Sequence, residues 1–382
     1  MSYTSVRLSE LYLENSRNGI YKSKEYMGSG TLLVKMNQLF GSRFIDDKLS
    51  NFDRIELTND ELNRFILIED DLLFSRTSVV PDGVGICSIV RLTDEPLSFE
   101  SNLIRIRLDK SKCWPELIFR YFQSSMGRNK ILSISGGTNV KTIKSSSLGK
   151  LEIYLPPFSS QKKIASILSV YDDLIEKNRR RIKLLEESAR LLYREWFVHL
   201  RFPGQESTRI INGLPEGWTK KPLRDCFTLN YGKALKSEVR TDGPFPVYGS
   251  SGIIGSHNKA LVEGAGIIVG RKGNVGSVFW ATADFWPIDT VYFVNKDESN
   301  LYLYYALQSI TFTSTDVAVP GLNRDFAYSR EILIPEEKIL SEFITEATLI
   351  RKQIETLEKY SNKLANARGL LLPRLMSGEL EV

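Results

Sequence analysis

Two stretches of this chain carry the same narrow apolar seam, and that repetition restricts the fold more tightly than any other feature. The first seam runs Ile164, Leu168, Tyr171, Ile175, Asn178, Ile182, Leu185, Ala189, Leu192, Trp196, in alternating steps of four and three residues. An offset of 175 residues, from Ile164 to Ile339, carries it onto Ile339, Phe343, Glu346, Ile350, Gln353, Leu357, Tyr360, Leu364, Ala367 and Leu371. Such steps mark one face of a helix at heptad spacing, and a stripe that narrow is buried by another helix. Charges including Lys162, Lys163, Glu176, Lys177, Arg179, Arg180, Arg181, Lys183, Glu186 and Glu187 fill the remaining faces, as a solvated helix requires. Each helix is predicted to run about 33 residues, or about 50 Å at 1.5 Å per residue. The natural partner of each is its own repeat. The pairing residues are therefore expected to be Ile164, Leu168, Ile175, Asn178, Ile182, Leu185 and Leu192 on one helix. Ile339, Phe343, Ile350, Gln353, Leu357 and Leu364 are expected to meet them from the other. The polar pair Asn178 and Gln353 either fixes the register or lies part-exposed without a role. Pro156 and Pro157 precede the first helix, Pro203 and Gly204 follow it, Pro335 precedes the second, and Gly369 and Pro373 stand at its expected end.

The segments ahead of the helices repeat more faintly. Leu33-Val34-Lys35 matches Pro246-Val247-Tyr248, and Leu72-Leu73-Phe74-Ser75-Arg76 matches Ile267-Ile268-Val269-Gly270-Arg271. Gly137-Thr138-Asn139 is set against Gly321-Leu322-Asn323, and Leu151 to Pro156 against Arg330 to Pro335. The order is preserved while the offset shrinks, so the first copy carries insertions. Short β-rich runs punctuated by glycine read as strands and turns. The expected fold is mixed α/β: two like globular domains at 1–155 and 201–335, alternating with long helices at 156–200 and 336–382 that pair with each other, the two copies related by a pseudo-twofold.

Composition agrees with a folded chain and removes several classes. With 382 residues, 42% hydrophobic, the chain is neither disordered nor fibrous. No apolar run approaches the roughly 18 residues of a membrane span, and the opening residues lack the apolar stretch of a signal peptide, so a cytoplasmic location and no membrane partner are expected. Cys87, Cys113 and Cys226 are few and far apart, which points to free thiols, with no metal site indicated. Lys and Arg number 51 against 46 Asp and Glu, a mild bias towards an anionic partner.

The ordered strings resemble the specificity subunits of type I restriction-modification systems. The second domain opens with Leu214-Pro215-Glu216-Gly217-Trp218 and continues through Pro246-Val247-Tyr248-Gly249-Ser250-Ser251-Gly252-Ile253-Ile254-Gly255, Ile268 to Gly276, and Phe285-Trp286-Pro287-Ile288-Asp289-Thr290. It closes with Gly321-Leu322-Asn323-Arg324, while the first copy carries Asp71 to Thr77 and Val84 to Val90. The likeness covers essentially the whole chain, but the first domain starts at Val6-Arg7-Leu8 without a preceding LPEGW-type string. The resemblance implies a non-catalytic DNA-recognition subunit in which each domain reads one half of an asymmetric bipartite site. It also implies that the two long helices pair as an antiparallel coiled coil, set the spacer and dock two methyltransferase subunits, with motor-nuclease subunits joining through the assembled complex. S-adenosylmethionine, ATP and Mg2+ would belong to those partners, and no cofactor to this chain. Twofold readers contact half-sites roughly 34–36 Å apart, a distance that helices of about 50 Å can span.

Side chains that read base edges are Arg, Lys, Asn, Gln and Ser, while phosphate contacts supply affinity. Arg271, Lys272 and Asn274 lie in a Gly-rich turn where backbone can approach a ligand, and Arg76, Thr77 and Ser78 hold the matching place in the first copy. Tyr248, Ser250 and Ser251, with Lys233 upstream, and the clusters Asn139, Lys141, Lys144 and Asn323, Arg324 complete the candidate contacts. Each group is equally a set of turn residues with exposed charges. Trp218, Trp280 and Trp286 are expected in cores. An enzyme is the alternative. However, Leu155-Pro156-Pro157-Phe158 has a Leu where a base-amine methyltransferase needs an amide, and Gly270 to Gly276 lacks the Gly-Lys-Ser/Thr ending of a phosphate loop. The two histidines, His199 and His257, form no metal motif. A coiled-coil scaffold explains the helices but not the duplicated Gly, Arg and Asn turns.

Overall fold

The computed structural model describes residues 3–49, 51–80, 83–312 and 321–380. The chain divides into two compact units, Met1–Lys177 with Tyr360–Val382, and Asn178–Lys359. Among the described residues no helix is long and apolar enough to cross a membrane.

The first unit is built on a five-stranded sheet in the order Tyr12–Asn18, Leu103–Leu108, Leu72–Ser75, Cys87–Val90, Phe44–Ile45. A three-stranded sheet places Met27–Val34 between antiparallel Asp53–Ile55 and parallel Leu97–Phe99. Runs such as Leu72-Leu73-Phe74-Ser75 are buried throughout, so they read as continuous apolar stretches rather than as alternation. Helix Pro115–Gln123, with Pro at its first turn, lays Leu117, Phe119 and Phe122 on the same core as Phe74 and Ile104.

Among the described residues the second unit repeats this topology, but its main sheet has four strands and no counterpart of Phe44–Ile45. Its main sheet runs Asn230–Tyr231, Val291–Val294, Gly266–Gly270, Val278–Ala281, and its smaller sheet places Phe245–Gly249 between antiparallel Gly252–His257 and parallel Trp286–Pro287. Helix Leu301–Ser309, capped by the Asn300 side chain accepting from the Leu303 N–H, takes the place of Pro115–Gln123. In each unit a further antiparallel pair closes the domain just before a long helix: Thr4–Arg7 with Glu152–Leu155, and Thr219–Pro222 with Glu331–Ile334. Cys87 and Cys113 are buried and Cys226 half-buried, all as free thiols. Trp218 is buried, whereas Trp280 and Trp286 are half-buried.

The long helices span Phe158–Tyr193, 36 residues followed by a π turn over Arg194–Val198, and Glu337–Ser377, 41 residues. Both exceed the expected length. The second does not stop at Gly369 or Pro373. A proline so near a helix end forfeits one backbone hydrogen bond, and Leu372, Leu375 and Met376 hold the last turns against the core of the first unit. Within that unit Ile164 and Leu168 share the core with Leu372 and Leu375, and Asp172 meets Arg368, so one helix rises as the other descends. Within the second unit Ala189, Tyr193 and Trp196 pack with Ile339, Phe343 and Ala347, again antiparallel.

Of the expected pairing residues, Ile164, Leu168, Ile339, Phe343 and Leu357 are buried, and Ile175, Asn178, Ile182, Leu185, Leu192, Ile350 and Leu364 half-buried. Gln353 is exposed, and Ile354 takes the buried position beside it. Glu346 and Tyr360 are exposed as well, with Ala347 buried in place of the former. A helix of 3.6 residues per turn drifts about 20° per heptad from a strict seven-residue repeat, so the buried stripe moves off the constant-step seam.

One buried contact sets the ends of the helix pair apart. In the first unit Asp172 is 8% exposed and receives Arg120 and Arg368, with Arg43 at 3.5 Å, while Arg120 also bonds Glu116 at 2.5 Å. In the second unit the residue at the same seam offset is Ala347, fully buried. The offset counterpart of Arg368 is Tyr193, and helix Leu301–Ser309 carries no charge. Removing one partner of a buried ion cluster leaves uncompensated charge. Asp172→Ala is therefore expected to lower stability by about 3–5 kcal/mol, read by chemical denaturation. Replacing Asp172, Arg120 and Arg368 together by apolar residues should recover most of that loss.

Candidate nucleic-acid interface

The two candidate surfaces grow from one backbone device. In the first unit, strand Leu72–Ser75 ends at Arg76, whose N–H donates to the Asn102 carbonyl at 2.7 Å and whose Nη1 donates to the Ser101 carbonyl at 3.4 Å. Its own carbonyl accepts the Ile143 N–H at 2.9 Å. In the second unit, strand Gly266–Gly270 ends at Arg271, whose N–H donates to the Thr290 carbonyl at 2.9 Å. Its Nη2 and Nε donate to the Asp289 carbonyl at 2.7 and 3.2 Å, and its carbonyl accepts the Leu322 N–H at 2.8 Å. The bonds correspond one for one. Both arginines are half-buried, and each guanidinium is held by the carbonyl that precedes the backbone acceptor.

This shared register corrects one sequence alignment. Ile143 stands where Leu322 stands, so the counterpart of Asn323 is Lys144 and not Asn139. A three-residue likeness is too short to outweigh a hydrogen-bonded register. Residues 137–140 form a loop closed by Gly136 and Thr142, which exchange N–H bonds at 3.0 and 2.8 Å. Asn139 lies exposed in that loop. Lys141 follows on a short strand opposite Ser78, with Thr142 opposite Thr77, so Arg76, Thr77, Ser78, Lys141 and exposed Lys144 come together. Ser78 is buried, and its Oγ accepts the Val80 N–H at 3.1 Å.

In the second unit the hairpin turn from Arg271 to Gly276 is closed by the Gly276 N–H on the Gly270 carbonyl at 2.9 Å. Lys272 and Asn274 are exposed on it. The Asn274 Nδ2 donates to Ser251 Oγ at 3.1 Å and its N–H to Ser250 Oγ at 3.4 Å, which gathers Ser250, Ser251 and Asn274 into one polar cluster. The Asn323 Oδ1 is committed to the following short helix, accepting from the N–H groups of Asp325 and Phe326 at 2.8 and 3.1 Å. Arg324 stands over the ring of Tyr231 at 5.0 Å, and Arg271 over the same ring at 5.4 Å and over Tyr292 at 5.8 Å. The Tyr292 hydroxyl donates to the Leu322 carbonyl at 3.0 Å, and burial, with its Tyr231 hydrogen bond second, pushes its pKa up to about 12. It stays a neutral donor at physiological pH.

Two candidates fall elsewhere. Tyr248 is buried on its strand and packs edge-on against Phe285 at 5.7 Å, so its ring belongs to the core. Lys233 keeps an exposed side chain while its N–H donates to the Pro287 carbonyl and its carbonyl accepts the Trp286 Nε1–H, both at 2.9 Å. Tyr231, 52% exposed, was missed from sequence. Its only local signal is an aromatic residue beside Gly232 and Lys233, and its place emerges from pairing with Tyr292. Among the described residues no group of three or more His, Cys, Asp or Glu side chains is arranged to hold a metal ion.

Residues 12–187 and 215–359 match the family described as type I restriction modification DNA specificity domain, which takes in most of both units. The chain belongs to the specificity subunits of type I restriction-modification systems. It is 25% identical, over an alignment of 400 positions covering 94% of this chain and 91% of the relative, to the type I restriction enzyme MjaIX specificity subunit of the archaeon Methanocaldococcus jannaschii. It is 30% identical over 173 residues, 44% of this chain and 36% of the relative, to the EcoKI specificity subunit of Escherichia coli K12. The crystal structure of a type I S subunit from M. genitalium shares the fold, with a TM-score of 0.53 at 17% identity over 98% of this chain and 96% of that one. The two relatives named here carry the name of the subunit class, and the arginine frame lies inside both matched segments of the present chain.

The turn geometry of this specificity subunit is testable. Gly276 has φ +74°, and a methyl group there would stand 2.6 Å from Phe312 Cβ. Gly276→Ala is expected to cost the second unit about 1–2 kcal/mol, measured as a lower denaturant midpoint, with the same change at exposed Gly213 a less informative comparison because only its φ is unfavourable.

Proposed function

We propose that the two units read separate halves of an asymmetric, bipartite duplex DNA site, and that the chain itself catalyses nothing. The observation that carries this reading is the duplicated frame. The same two backbone bonds and a guanidinium bond to a carbonyl hold Arg76 and Arg271, while the side chains displayed around them differ. A duplicated scaffold supports two contacts of one kind, and divergent side chains support two different half-sites. Arg76, Thr77, Lys141 and Lys144 on one unit, and Arg271, Lys272, Asn274, Ser250, Ser251 and Arg324 on the other, are the proposed DNA-facing residues.

The long helices in this reading set the spacer and dock two methyltransferase subunits. Support comes from a second apolar stripe on the first helix, where Ile167, Val170 and Leu174 are exposed at steps of three and four residues. Leu184 and Leu191, seven residues apart beyond Lys177 and Arg181, are exposed too. A helix that buries one stripe and displays another suits a further helical partner. Motor-nuclease subunits join through the assembled complex, and S-adenosylmethionine, ATP and Mg2+ are assigned to the partners.

Binding of the full chain with its methyltransferase partner to duplex DNA should weaken steeply with salt, the log–log slope falling by about 0.9 per phosphate contacted. A slope near zero would remove the DNA-reading proposal. Mapping methylated bases in cells that carry the chain and its partner should return one motif with two unlike halves and a fixed gap. Methylation by the chain alone with S-adenosylmethionine would overturn the non-catalytic assignment.

A further inference from the structure

The frame that makes the two units alike also shows where they differ. Two strands out from the arginine, Ile104 lies opposite Phe74 and Asn18 lies opposite Ile104. In the second unit Tyr292 lies opposite Val269 and Tyr231 opposite Tyr292. Phe74 and Val269 each stand two residues before the frame arginine, so Asn18 and Tyr231 occupy the same place. On the other side, Ser145 and Arg324 each stand two residues after the backbone donor, Ile143 or Leu322, at the start of a short helix. These two places face each other in both units. In the first, Ser145 Oγ donates to Asn18 Oδ1 at 2.9 Å; in the second, the Arg324 guanidinium lies over the Tyr231 ring at 5.0 Å.

One site is therefore small, neutral and amide-bearing, and its counterpart is large, cationic and aromatic. Asn18 and Tyr231 are exposed, and Ser145 and Arg324 half-buried. The frame arginines are tied to carbonyls, whereas Arg324 rests on an aromatic face with no carbonyl or carboxylate bonded to it among the described residues. A guanidinium held over a ring by cation–π attraction offers a planar fork of N–H donors, the group that matches guanine O6 and N7. The Asn18 amide keeps both Nδ2 hydrogens and one Oδ1 lone pair beside its bond to Ser145, which matches adenine N6 and N7.

We infer that these facing pairs set base choice: Arg324, held over Tyr231, reads a guanine in the half-site of the second unit, and Asn18, oriented by Ser145, reads an adenine in the half-site of the first. The frame arginines position the loops. This inference rests on the proposed reading of a bipartite site and names the residues that choose the bases.

The test is methylated-base mapping of genomic DNA from cells expressing the full chain with its methyltransferase subunit, using the wild type and the Arg324→Ala, Arg324→Lys and Asn18→Ala variants. If the wild type gives no bipartite motif, the broader reading fails and this inference falls with it. Given such a motif, Arg324→Ala should relax one guanine of one half to several bases, with discrimination falling roughly 5- to 150-fold and the other half unchanged. Arg324→Lys keeps the charge but not the two-pronged edge, so it should relax the same guanine while methylation at cognate sites persists. Asn18→Ala should relax one adenine in the opposite half. An unchanged motif in the Arg324 variants would overturn the inference. So would a uniform loss of methylation in Arg324→Ala that Arg324→Lys restores without base relaxation, because that marks a phosphate contact. Should Arg324→Ala fail to accumulate, Arg324→Lys and the exposed Asn18→Ala decide the matter alone.

Discussion

Each globular unit closes its core with residues of both long helices, and the rest of the structure depends on that. The first unit needs Leu372, Leu375 and Met376 from the far end of the second long helix, packed with Ile164 and Leu168 from the start of the first. The second needs Tyr193, Trp196 and Phe197 from the end of the first long helix, packed on Tyr302 and Phe343. The strand pairs Thr4–Arg7 with Glu152–Leu155, and Thr219–Pro222 with Glu331–Ile334, fix where each helix leaves its unit. A proline follows each departing strand, at Pro156 and Pro335, and the helix begins within two or three residues. Helix direction is thereby set by sheet hydrogen bonds, and helix end by burial in a core distant in sequence.

Duplication preserved hydrogen-bonding topology while core chemistry moved apart. Arg105 and Phe293 take the same place in the two sheets, opposite Leu73 and Ile268 respectively. Arg105, 1% exposed, donates to Glu14 at 2.6 Å and to the Ile66 carbonyl at 3.0 Å, whereas Phe293 packs on Phe285. Asp172 with its arginines against Ala347 and Tyr193 repeats the contrast at the helices. One unit solves its interior with paired charge and the other with aromatic rings. The backbone ladder tolerates either, because sheet bonds do not depend on side-chain identity, whereas each interior must be satisfied within its own set of partners.

The parts of the fold that were legible in the sequence are those carried by periodicity over many residues. Ten matched seam positions located both helices, and the globular repeat followed from the order of short strings. A fixed seven-residue step then placed Gln353, Glu346 and Tyr360 on the seam, and the helical drift turns all three outward. Gly369 and Pro373 read as terminators because the burial of Leu372, Leu375 and Met376 in a core 200 residues earlier leaves no local trace. At the candidate interface, Arg76 and Arg271 were visible as charges in matched turns, but their engagement with carbonyls was not. Tyr231 and Asn18 share only the glycine that follows each, Gly232 and Gly19, and strand pairing brings them to one place.

Those two residues show how a repeat of this kind can change the surface it presents without refolding. The frame is secured by main-chain donors and acceptors: the arginine N–H, its carbonyl, and the amide at Ile143 or Leu322. None of these bonds constrains which side chains stand at 18 and 145, or at 231 and 324. Substitution there exchanges an amide and a hydroxyl for a ring and a guanidinium while every backbone partner is kept. Surface positions bounded by a main-chain frame cost little to change, whereas the arginines themselves are tied into it. Divergence of the displayed pair, with the frame held, changes the surface a unit presents without disturbing its fold, and the two units of this chain present unlike surfaces on one frame.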